Sequence, residues 1–134
     1  MLVPSRAMNC PFCTPDPARI LLEVDAAIAL RDAFPVSDGH SLVVPRRHVA
    51  SLFDLPVEEQ AAIWRLVAEV RQRLQAEFRP AAFNIGVNDG RAAGQTVMHA
   101  HIHIIPRYPG DRDDPRGGIR WVLPAKARYW REGG

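Results

Sequence analysis

His99-Ala-His-Ile-His-Ile-Ile105 decides how the rest of this chain is read. Alternate residues of an extended strand face the same side, so His99, His101 and His103 share one face. Ala100, Ile102 and Ile104 share the other, which is apolar and fit for a core. A solvent-facing strand that merely happens to be histidine-rich is the plain alternative, and three in-register imidazoles argue against it. A single metal held by all three rings is the sharper rival. His99 and His103 lie about 13 Å apart along an extended strand, whereas metal–nitrogen bonds are about 2.1 Å, so two rings could share an ion but three would be strained. A division of labour along the row is the better expectation.

Immediately upstream, Asn88-Asp-Gly-Arg-Ala-Ala-Gly-Gln-Thr96 reads as a glycine-rich loop. Gly94, Gln95 and Thr96 supply a pliable backbone, an amide and a hydroxyl, all able to donate to phosphate oxygens. Working outward, Ile20–Val24, Ala27–Asp32, Ser41–Pro45, Phe83–Val87 and Met98–Pro106 read as strands bounded by turn residues. One long helix follows Asp54 and Pro56, with Ile63, Val67, Val70 and Leu74 on one stripe and Pro80 beyond its end. Ile119–Leu123 reads as one further short strand, after a polar stretch rich in proline and glycine. Short links between strands favour antiparallel pairing, hence an α+β class. The expectation is a single domain over 1–134, with its core at about 9–107 and a divergent segment at 108–134.

Composition removes several function classes. Hydrophobic residues make up 47% and charged residues 24%, with a formal net charge of +2. The seventeen basic residues are scattered, which argues against a protein that coats nucleic acid. No stretch has the length of a membrane span, and residues 1–8 lack the apolar core of an export signal. A cytosolic setting is therefore expected. There Cys10-Pro-Phe-Cys13, which holds both cysteines, points to a metal or redox role over a disulfide. A metal site would need two more ligands, and His48 and His99 are available; a redox pair or free thiols stand as alternatives.

There is no Gly-x-x-x-x-Gly-Lys-Ser/Thr loop and no carboxylate cluster for Mg²⁺. Phosphoryl chemistry here would need a nucleophile of its own, and a neutral imidazole can serve. The histidine row, with Asn88, Gly94-Gln95-Thr96 and His40-Ser-Leu-Val-Val-Pro-Arg-Arg-His48, resembles the histidine triad (HIT) family. The likeness runs over about residues 9 to 107, and Ala100 is a mild departure at a position where the family carries an apolar residue.

The resemblance implies a five-stranded antiparallel sheet with one long helix, two such sheets joining in a homodimer. It implies that His101 takes the nucleotidyl group and that His103 contacts the phosphates and helps to protonate the leaving group. Gln95 and Thr96 would hold phosphate oxygens beside Asn88, Asp32 would hold the ribose, and His40 would buttress the row. A purine nucleotide would be the substrate. Cys10, Cys13, His48 and His99 match the zinc ligands found in some members, and four protein ligands would make that zinc structural. The implied activity is hydrolysis of nucleoside phosphoramidates or dinucleoside polyphosphates. A nucleotidyltransferase using the same intermediate, and a purine nucleotide-binding regulatory module with weak turnover, are the other readings.

Overall fold

The structure, a computed structural model, describes residues 9–131; residues 1–8, read above as lacking an export signal, lie outside the described residues. Its elements are β1 (Ile20–Glu23), β2 (Ala27–Arg31), β3 (Ser41–Pro45), α1 (Val57–Phe78), β4 (Ala82–Val87) and β5 (Ile102–Arg107), with short 3-10 turns between them. The five strands form one sheet in the order β1-β2-β3-β5-β4. Every neighbouring pair is antiparallel, as the short connections lead one to expect. The class is α+β.

Period-two patterning divides the sheet into two faces. Ala27, Ala29, Val43, Ile102 and Ile104 join Ile63, Leu66, Val67, Val70 and Leu74 of α1 in the main core. The helix stripe read from the sequence is thus the buried one, widened by Leu66. On the opposite face Ile28, Leu30, Leu42 and Val44 form a second cluster, packed against Phe12 and Ile20. His103 pairs with Leu42 in register, so the histidines share this helix-free face.

The helix has two acidic residues, Glu58 and Glu59, in its first turn, which complements the dipole. It ends at Arg79, whose N–H makes the last i→i−4 bond, to the Gln75 carbonyl, and whose left-handed backbone (φ 50°) turns the chain out of the helix. Near that end the Phe78 ring comes so close to Gly39 (φ 88°) that a Cβ there would sit 2.9 Å from the ring. Only glycine suits that turn, which carries the chain into His40 and β3.

Two expectations need correction. Ile119–Leu123 is no strand: Gly118–Val122 forms a 3-10 turn, closed by the Arg120 N–H on the Gly117 carbonyl. The Arg120 guanidinium holds it from the other side, donating to the carbonyls of Lys126 and Ala127. The last strand also begins at Ile102, not Met98. On the N-terminal side of Ile102 the pairing with β3 stops at Val43, although β3 runs on to Pro45, and the Ala100 N–H turns to the Val49 carbonyl at 2.7 Å.

Candidate functional site

His99 lies just before β5, level with the end of β3, and is fully buried. Its Nε2–H donates to the Pro45 carbonyl at 2.7 Å. That bond leaves Nδ1 unprotonated, facing the two cysteines. Nδ1 stands 3.4 Å from Cys10 Sγ, 3.5 Å from Cys13 Sγ and 3.2 Å from His48 Nδ1. Cys13 Sγ is 3.2 Å from His48 Nδ1. All four ligand atoms lie within 4.8 Å of one another. A zinc tetrahedron with ordinary bond lengths has N···N edges of about 3.3 Å and S···N edges of about 3.6 Å, so the residues fit such an ion. Burial also pushes the His99 ring below its ordinary pKa, against the Pro45 bond, and so favours the neutral form a ligand needs.

Two residues on, His101 makes a different bond. Its Nδ1–H donates to the carbonyl of His99 at 2.8 Å. In the neutral ring Nε2 then carries a free lone pair, the form a nucleophile requires. Phe12, between the two cysteines, packs on this ring at 4.9 Å between centroids and on His99 at 5.8 Å.

His103 is oriented through His40. The Val36 N–H donates to His40 Nδ1 at 3.1 Å, so His40 carries its proton on Nε2. That nitrogen lies 3.0 Å from His103 Nδ1 and 3.3 Å from Asp32 Oδ2. His103 Nδ1 must therefore accept, which places the His103 proton on Nε2. Burial first, and then the neighbouring His101 and His40 rings, hold the His103 pKa down at about 4, with Asp32 opposing. Burial likewise lowers the His40 pKa against the pull of Asp32. Both rings are neutral near pH 7.

His101, His103, Asp32, Asn88, Gly94 and Thr96 line one cleft of ≈ 370 Å³, together with Phe12, Arg19, Leu30, Phe34 and Leu42. Most of the residues singled out in the sequence meet here or at the sulfur–nitrogen cluster. Gln95 departs from the expectation that its amide is open to phosphate. Its side chain is buried and committed: Oε1 accepts from the Gly90 N–H at 2.8 Å, while Nε2 donates to the carbonyls of Ala50 and Val97. Gln95 braces the loop that carries Gly94 and Thr96. The sequence reading passed over Phe12, Arg19, Leu30 and Leu42. Of these only Phe12 had a signal, its place between two paired ligands.

Residues 14–110 match the HIT domain family. An uncharacterized HIT-like protein of Mycoplasma pneumoniae is 38% identical over 75% of this chain and 72% of its own length. The asymmetrical bis(5'-nucleosyl)-tetraphosphatase of Schizosaccharomyces pombe is 46% identical over 58% of this chain and 42% of its own length. Among solved structures, a zinc-bound histidine triad family protein of Mycobacterium smegmatis superposes with a TM-score of 0.71 at 34% identity, covering 78% of this chain and 79% of its own.

The environment of His103 makes a direct prediction. Its ring should titrate with a midpoint near 4 by NMR, against the ordinary 6.5. Because the unfolded chain binds this proton more readily, the ring's share of stability is complete above about pH 6.5 and is lost as pH falls towards 4. A His103 midpoint at or above 6.5 would mean that the ring is not held as described.

Proposed function

The chain belongs to the HIT domain family, and from that premise we propose that it is a nucleotide-binding hydrolase using His101 as a covalent nucleophile. The observation that carries this reading is the His101 tautomer, with Nδ1–H tied to the His99 carbonyl and the Nε2 lone pair available to the cleft. In the proposed reaction Nε2 attacks the phosphorus attached to a nucleoside, forming a phosphorus–nitrogen bond as the bond to the leaving group breaks. Water then cleaves the adduct and releases the nucleoside monophosphate. Nucleoside phosphoramidates and dinucleoside polyphosphates are the substrate classes; the tetraphosphatase relative supports the second.

His103 presents Nε2–H to the phosphate and the departing atom. It is neutral before substrate arrives, and the phosphate charge offsets the burial penalty on a second proton. Asp32 Oδ2, 4.0 Å from Nδ1, sets a negative charge beside the ring that favours its protonated form. Asp32 also stands where the ribose hydroxyls would lie, its Oδ1 holding the Phe34 N–H at 2.8 Å. Thr96 and Asn88 donate to phosphate oxygens, with donors set in advance of the charge they stabilise.

Cys10, Cys13, His48 and His99 would hold zinc. With four protein ligands such an ion has no open position, and what it supplies is a fixed place for the N-terminal cysteines against β3 and β5. The reading puts the protein in the reducing cytosol, where both thiols stay available to a metal. Among the described residues no helix is long and apolar enough to cross a membrane. A homodimer belongs to the same reading and is supported by β4, which lies at the sheet edge with no strand on its outer side.

Two outcomes test the proposal. His101→Ala should lower kcat by at least about 10³-fold while nucleotide affinity changes little, and quenched wild-type enzyme should yield an acid-labile, base-stable nucleotidyl adduct. Substantial turnover by the variant would refute the covalent route. The purified protein should contain one zinc per chain. Cys10→Ser should lose the metal and about 10 °C of Tm, the shift that a loss of ~2–3 kcal/mol produces in a domain of this size. A metal-free preparation of unchanged Tm would refute the zinc assignment.

A further inference from the structure

Arg19 closes the 3-10 turn Pro17–Arg19 and leads directly into β1. Its side chain lines the same cleft as His101 and His103. Among the described residues, its Nε is the one buried side-chain nitrogen or oxygen with no hydrogen-bond partner. Other arginines are matched to carboxylates: Arg31 to Glu77, Arg46 to Glu23, Arg47 to Glu59 and Arg107 to Asp111. A buried guanidinium N–H without an acceptor carries its desolvation cost with no return. Such groups call for an explanation, and a ligand that brings the acceptor is the one that fits a group lining a cleft.

Position tells which part of a ligand that would be. β1 is the outermost strand, three places across the sheet from β5, or about 14 Å at ordinary strand spacing. Asp32, which follows β2, stands between them. A nucleotide with its phosphorus at His101 and its ribose at Asp32 carries its base towards β1. Phe12, Leu30 and Leu42 provide apolar walls for the faces of such a ring. On that placement Arg19 would meet the base and not the phosphates.

A guanidinium can only donate, and its N–H groups are set in a rigid fork. Guanine offers two adjacent acceptors, O6 and N7, that match such a fork. Adenine sets an amino donor beside its N7, where a second donor repels it. We propose that Arg19 is a specificity-determining residue that donates through Nε–H to the acceptor edge of the base, so that the cleft prefers an oxopurine, guanine or hypoxanthine, over adenine. This inference rests on the nucleotide reading of the cleft.

Titration calorimetry on the full-length, metal-loaded protein tests it, with GMP, IMP, AMP and guanosine as ligands. Wild-type protein should bind GMP and IMP about tenfold more tightly than AMP, the discrimination a forked arginine contact gives. Arg19→Met should bring GMP and IMP down to the level of AMP, which itself changes less than about twofold, and guanosine should lose the same factor as GMP. Arg19→Lys, which keeps the charge and lacks the fork, should also lose the selectivity. The Tm of Arg19→Met should equal or exceed that of wild type, because the orphaned donor is gone. Equal wild-type affinity for GMP and AMP would overturn the proposal. So would an equal loss for all three nucleotides with none for guanosine, which would mark simple attraction to phosphate. Failure of the folded wild type to bind any of the four would overturn the nucleotide reading itself, and this inference with it.

Discussion

The hydrogen bond from His101 Nδ1 to the carbonyl of His99, 2.8 Å long, is the constraint on which the rest of the site depends. A neutral imidazole carries its proton on either nitrogen, and only one choice leaves a lone pair in the cleft. The backbone makes that choice at each functional ring. The Pro45 carbonyl takes the proton of His99 Nε2, freeing Nδ1 for the cysteines. The Val36 N–H occupies His40 Nδ1, and through His40 the proton of His103 is sent to Nε2. Since backbone positions are set by the sheet and its turns, the chemistry of four rings is fixed by the fold.

This arrangement explains why one short stretch can serve two purposes. His99 belongs to the sulfur–nitrogen cluster by its side chain and to the cleft by its carbonyl. Its position is set on three sides, by Pro45, by the ring of Phe12 and by the cysteines. Whatever anchors Cys10 and Cys13 therefore steadies the carbonyl that orients His101. The cluster is a support for the cleft, and the two are joined through one peptide unit.

Much of this was legible in the sequence, for physical reasons that can be named. Alternation over residues 99–105 separates Ile102 and Ile104, in the core, from the histidines on the other face. The stripe Ile63, Val67, Val70 and Leu74 is a helix face, and Pro80 marks its end. Other features depend on contacts distant in sequence. The Gln95 amide is spent on Gly90, Ala50 and Val97, and its Ala50 partner lies 45 positions away. β5 starts late because Ala100 bonds to Val49, a partner outside any strand. The apolar alternation of residues 119–123 was overridden by glycines of positive φ at 117 and 118 and by Arg120 reaching forward to Lys126 and Ala127. Arg19 carried no sequence signal, because its distinction is a partner it lacks.

The central claim is that backbone groups fix the imidazole tautomers of this site, and nitrogen NMR of the histidine rings in the ligand-free protein reads them directly. For the neutral ring the account predicts a protonated Nδ1 and an unprotonated Nε2 on His101. It predicts the reverse, a protonated Nε2 and an unprotonated Nδ1, on His40 and His103. A His101 ring with its proton on Nε2, or one exchanging freely between the two forms, would contradict it.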